Sequence, residues 1–135
     1  MPAEFGAYRV RRPVPHREYL ERTARSPLVF NTPAVHDCLG WKLGEFLSLG
    51  KAIISTPLGR VMPGEFAPGV HYHLAQDDED SLRDAVARVL GDDAYRRTLE
   101  RNARRYWEDY LAPAAVAGRI VQAAEGARAR GDGDE

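Results

Sequence analysis

The sequence predicts an α/β fold: a parallel sheet of three to four strands, covered by helices and closed by a helical C-terminus. Three observations lead there. Two short continuous apolar runs, Leu28-Val29-Phe30 and Ala52-Ile53-Ile54-Ser55, read as strands covered on both faces. Around them lie stretches whose apolar residues recur at spacings of three and four, the helical period. Strand-like and helix-like segments therefore alternate, the order that builds a parallel sheet.

Taken in order, Tyr8-Arg9-Val10 is a candidate strand, closed by Pro13 and Pro15, which cannot donate to a ladder. His16 to Arg25 reads as a helix with Tyr19, Leu20, Thr23 and Ala24 on one face. Ser26-Pro27 ends it, because a residue before proline disfavours the α region. The strand Leu28 to Phe30 follows, then a loop at Asn31-Thr32-Pro33. A helix is expected from about Leu39 to Leu49, apolar on most sides through Leu39, Leu43, Phe46, Leu47 and Leu49. Such a helix is buried on more than one side, and Gly50 suits the position just past its end.

Ala52 to Ser55 is the next covered strand, and Pro57-Leu58-Gly59 is the loop beyond its carboxyl end. Prolines and glycines make Val61 to Gly69 a loop. Val70 to Leu74 alternates and reads as a strand. Asp77-Asp78-Glu79-Asp80 opens a helix, where carboxylates complement free N–H groups. Leu82, Ala85, Val86, Val89 and Leu90 form its apolar stripe, and Gly91 stops it. Asp92 or Asp93 caps another helix, with Tyr95, Leu99, Ala103, Tyr106, Trp107 and Tyr110 on one face. Pro113 opens the last helix, whose stripe is Val116, Ile120, Val121 and Ala124. The pattern describes one domain over residues 1–128, similar to the later half of a Rossmann-like domain, and a charged, disordered tail over 129–135.

Composition narrows the function classes. The 135 residues suit one domain, with 44% hydrophobic and 29% charged residues. A net charge of −1 supplies no general attraction to nucleic acid. The arginines from Arg96 to Arg105 are interrupted by Glu100 and flanked by Asp93 and Glu108, so no nucleic-acid partner is expected. Cys38 is the single cysteine, which excludes an internal disulfide and points to a reducing cytoplasm. No apolar run reaches the about 18 residues of a membrane span, and the N-terminus lacks the apolar core of a signal peptide.

The chemistry concentrates in Asp37-Cys38-Leu39-Gly40-Trp41-Lys42-Leu43-Gly44-Glu45, between the two covered strands. Open α/β sheets bind ligands outside the carboxyl ends of their strands. A helix opening near Leu39 offers free N–H groups and partial positive charge to an anion. The N–H groups of Leu39, Gly40 and Trp41 can face a diphosphate, Gly40 leaves room for it, and Lys42 can place its ammonium over it. Glu45 can accept both hydroxyls of a ribose, and Asp37 hydroxyls of a sugar. His36 can touch a phosphate or sugar, or pack against Trp41. Cys38 reads as a small packed residue lining the same loop. The plainer alternative makes Asp37 a helix cap and Glu45 a partner of Lys42 or Lys51. No metal site is expected: His71 and His73 share a strand face, but a third ligand is lacking, and the Asp77–Asp80 run lacks calcium-loop spacing.

This segment resembles the nucleotide-sugar-binding half of glycosyltransferases of the GT-B fold. Retaining members carry an acid, seven residues and a glutamate, then a small-residue turn and an apolar strand. Asp37 and Glu45 stand at the two acidic positions, and Gly50-Lys51-Ala52-Ile53-Ile54 follows. Trp41 to Glu45 is also similar to a basic-x-x-acid pattern in exostosin-like transferases, whose basic residue meets the diphosphate. The resemblance extends from about His16 to Val121. It implies a hexosyltransferase-type reaction with a nucleotide-diphosphate sugar as donor, no separate cofactor, Asp37 as the catalytic acid position, and His36, Cys38, Leu39, Gly40, Trp41, Lys42 and Glu45 as substrate-binding positions. It also implies an acceptor-binding half outside these residues, so the alternative is a non-catalytic α/β ligand- or partner-binding module of the same fold. An open sheet edge favours self-association or pairing with a separate N-terminal half.

Overall fold

Two neighbouring isoleucines show how the layers are built. In the computed structural model, which describes residues 12–131, Ile53 and Ile54 are both fully buried. Successive strand residues point to opposite faces. Ile53 accordingly joins a core with Val29, Leu43, Phe46, Leu47, Tyr72, Ala103 and Tyr106. Ile54 joins a second core with Ala52, Ala75, Ala85, Val89 and Leu99. The sheet is thus covered on both faces, as the continuous apolar runs require.

The sheet has three parallel strands in the order β1 (Val29–Asn31), β2 (Ile53–Ser55), β3 (His73–Leu74). Val29 pairs with Ile53, Asn31 with Ser55, and Ser55 with Leu74. The expected strand over Val70–Leu74 contracts to two residues. A tight turn takes the rest: the Gly69 N–H reaches the Tyr72 carbonyl at 2.7 Å, and Gly69 has a φ of +76°. The candidate strand Tyr8–Val10 lies outside the described residues.

Helix α1 (His16–Arg25) ends at Ser26, in extended conformation before Pro27. Lys51 is buried and donates to the Ala24 carbonyl at 3.1 Å, placing a cation at the negative end of α1. Helix α2 (Trp41–Ser48) starts two residues later than its apolar pattern suggests. A 3₁₀ turn at Val35–Asp37 holds the chain back: His36 and Asp37 both adopt left-handed backbone, with φ of +59° and +55°. The Ala34 N–H closes this turn on the Cys38 carbonyl at 2.8 Å, and Gly40 is extended. Asp37 is therefore not the cap of α2. Gly50, at φ +60°, ends α2 with its N–H on the Leu47 carbonyl.

Helix α3 (Glu79–Gly91) is capped by Asp78, which accepts from the Ser81 N–H at 2.7 Å. Helix α4 (Asp93–Tyr106) is capped by Asp92, which accepts from the Tyr95 N–H at 2.9 Å. The expected single face through Tyr110 is interrupted by a π turn over Trp107–Leu111, which sets the Tyr110 ring 4.9 Å from that of Tyr106. Helix α5 (Pro113–Gly131) runs to the end of the described residues, and residues 132–135 of the expected tail lie outside them.

Candidate functional site

The parallel strands present their carboxyl ends together at Asn31, Ser55 and Leu74. Two buried side chains lock that edge. Asn31 Nδ2 donates to Ser55 Oγ at 3.0 Å, and Ser55 Oγ donates to the Thr56 carbonyl at 2.9 Å. Asn31 Oδ1 is buried with no hydrogen-bond partner among the described residues.

Beside this edge lies a recess of about 340 Å3, lined by Thr32, Pro33, Ala34, Asp37, Thr56, Pro57 and Asp77. Asp37 reaches it from the left-handed turn, a conformation that aspartate tolerates better than most residues. Its side chain lies against the loop after β2: a Cβ on Gly59 would sit 3.2 Å from Asp37 Cβ. Arg60 ties the same two loops together by donating to the His36 carbonyl at 3.1 Å. Cys38 is exposed rather than packed as expected, because the left-handed turn before it carries it outward, and Leu39 packs against the first core.

Glu45 belongs to a different cluster. Its Oε1 meets His16 Nε2 at 2.8 Å. The His16 and Tyr19 rings of α1 lie 6.1 and 5.9 Å from the Trp41 ring, edge to face. Trp41 nonetheless stays 65% exposed. Trp41 and Glu45 are four residues apart on α2 and so share a helix face, and that face looks at α1. The carboxylate pairs with neither Lys42 nor Lys51. Glu45 Oε2 and Tyr19 Oη are both shielded from solvent without a partner among the described residues. Asp37 thus lines the recess by β2, and Glu45 meets His16 of α1. Lys42 is half-buried between them in sequence, on the first turn of α2.

The start of α2 separates the two acids. Gly40 provides no side-chain cap, and the first N–H groups of a helix have no intrahelical acceptor. Trp41 and Lys42 thus offer backbone donors at the sheet's carboxyl edge. Among the residues that sequence reasoning did not single out, His16, Tyr19, Thr56 and Asp77 belong to these surroundings. No local pattern marks them, because they arrive from other elements.

His71 and His73 are engaged internally. His71 Nδ1 accepts from the Ala67 N–H at 3.1 Å, and His73 Nδ1 lies 2.9 Å from the Tyr95 hydroxyl. Burial holds both imidazoles below their ordinary pKa. Among the described residues, no group of three or more His, Cys, Asp or Glu side chains is placed to hold a metal ion.

Comparison with known proteins decides the class. A family model described as glycosyl transferase-like matches residues 3–122. The chain belongs to this family. No curated protein and no solved structure gives a significant match. The matched span contains all three strands, both acidic clusters and the start of α5. It supports a glycosyltransferase-family domain with an α/β fold. No helix among the described residues is long and apolar enough to cross a membrane.

Proposed function

We propose that this domain binds the nucleotide-diphosphate portion of an activated sugar and so supplies the donor side of glycosyl transfer. The observation that carries the reading is the placement of α2 in a glycosyl transferase-like domain. It opens uncapped at the carboxyl edge of a parallel sheet, with Lys42 and Glu45 in its first turns. The N–H groups of Trp41 and Lys42, with the Lys42 ammonium, suit the diphosphate. Glu45 suits the ribose diol. The Asp37 recess, at the other side of the helix mouth, suits the sugar. The donor then runs across the start of α2 rather than into one enclosed cleft.

In the transfer, the bond from the anomeric carbon to the diphosphate breaks as one to an acceptor oxygen forms, and the acceptor's proton passes to a base or to the departing diphosphate. The protein's task is to orient the sugar and stabilise the departing charge. Asp37 is the catalytic candidate because it stands at the sugar end. His36, Cys38, Leu39 and Gly40 shape the loop around the phosphates. The acceptor hydroxyl comes from a second binding half, either a separate domain or a second copy of the chain. Among the described residues β1 and β3 have no outer strand neighbour, which favours such association. A clean monomer by size exclusion at high concentration would argue against a second copy. The exposed thiol of Cys38 suits a reducing compartment such as the cytoplasm.

A non-catalytic module is the second reading. It is favoured by the state of Glu45, whose Oε1 is already engaged and whose Oε2 is shielded. Calorimetric titration with UDP and GDP separates the two. Donor binding predicts uptake of one of them, weakened about tenfold in Glu45→Gln, since hydrogen bonds to a charged group contribute ~1.5–3 kcal/mol. Absence of uptake of either nucleotide would leave the module reading.

A further inference from the structure

We infer that His16 is a displaceable stand-in for the ligand at Glu45, so that donor binding must break the His16–Glu45 contact before the carboxylate can take a ribose diol. The inference rests on the donor-site reading above and adds a control element to it. Three observations on α1 and α2 carry it.

The first is the contact itself. His16 Nε2 meets Glu45 Oε1 at 2.8 Å, occupying one of the two acceptor atoms that a vicinal diol needs. The second is the asymmetry of the pair. The His16 side chain is 64% exposed at the first residue of α1, whereas the Glu45 side chain is only 22% exposed. The imidazole is therefore the partner that can swing into solvent, and an exposed pair of this kind is weak. The third is the pair of orphaned atoms behind the contact. Among the described residues, Glu45 Oε2 and Tyr19 Oη are both screened from solvent without a hydrogen-bond partner. Buried polar atoms normally find partners. His16 stacks beside Tyr19 at 6.3 Å and lies 6.1 Å from Trp41, so its ring sits over the seam between α1 and α2 that holds Glu45.

Departure of the imidazole frees Oε1 and uncovers this polar space. One ribose hydroxyl then donates to the oxygen that His16 leaves, and the other to Oε2. No covalent bond changes in this exchange. The exposed indole of Trp41 remains beside the nucleoside as an apolar wall.

Calorimetry on the full chain with UDP and GDP as probes tests the exchange, using His16→Ala, Glu45→Gln and the double variant. Loss of a competing occupant should tighten nucleotide binding by ~3-fold in His16→Ala, the scale of an exposed pair. The gain should vanish when Glu45 is already glutamine, as a double-mutant cycle requires of a shared contact. Heteronuclear spectra of the His16 ring should move toward those of a free imidazole as nucleotide is added. Unchanged or weaker binding in His16→Ala, while Glu45→Gln still weakens it, would overturn the stand-in role and leave the donor site intact. Absence of nucleotide binding, or binding indifferent to Glu45→Gln, would remove both readings.

Discussion

The centre of the sheet and its carboxyl rim obey different rules. At the centre, Ile53 and Ile54 sit between two cores and are fully buried. At the rim, His36 and Asp37 hold left-handed backbone, and Val35 beside them is 77% exposed. The centre is held by apolar area, to which many residues contribute. The rim is held by a few directed contacts: Asn31 to Ser55, Arg60 to the His36 carbonyl, His16 to Glu45. Packing thus provides the stability, and the less constrained rim is left to carry polar groups for a ligand. This is the usual division between scaffold and loops.

Substitutions should separate the two regions. The largest effect is expected at the centre, where Ile53→Ala removes a side chain with no exposure and leaves a cavity. It should destabilise by ~3 kcal/mol in urea unfolding, against less than ~0.5 kcal/mol for Asp37→Asn on the exposed rim. A comparable loss in both would erase the distinction. Gly64→Ala comes next. Its φ of +67° disfavours a side chain, and a Cβ there would run into the Tyr110 ring. A loss of ~2 kcal/mol is expected from strain and overpacking, measured by the same titration.

Smaller again is Lys51→Met, which keeps the aliphatic stem but removes the ammonium from the Ala24 carbonyl. It should cost ~1 kcal/mol through the freed carbonyl at the end of α1. Unchanged stability would mean that the stem, not the charge, matters there.

The pH response sharpens the contrast further. His71 and His73 flank the first and second cores, and burial lowers both pKa values from the ordinary 6.5. The unfolded chain then takes up protons first. Stability is full above about pH 6.5 and falls as pH drops below it toward the lowered native values. His71 Nδ1 accepts the Ala67 N–H, a role that a doubly protonated ring cannot fill. Unfolding midpoints at pH 7.5 and 5.5 should therefore differ, and less so in His71→Gln. A midpoint flat across that interval would show that neither ring is constrained as the structure has it.

How much could be read in advance follows the same division. Strands β1 and β2, helices α1, α3 and α4, the acidic opening of α3 and a cap at Asp92 or Asp93 follow from local signals. These are continuous apolar runs, helical periodicity and short polar side chains before acidic turns. The sequence pattern starts α2 too early because Leu39 continues the apolar periodicity, whereas the Val35–Asp37 turn obeys backbone geometry that no periodicity records. It overextends strand β3 for a related reason. The alternation from Val70 to Leu74 is real, but the turn at Gly69 takes up its first half.

The same holds for the acids. Their spacing and their position after a covered strand were visible in the sequence, and so was the family resemblance that they carry. Which way each one faces was not. Asp37 turns to the loop beyond β2 because its backbone is left-handed. Glu45 turns to His16 because a residue 29 positions earlier folds back against α2. Local periodicity dictates elements because each is decided by near neighbours along the chain. The partners of a side chain at the rim are decided by the docking of separate elements, and only the assembled layers specify it.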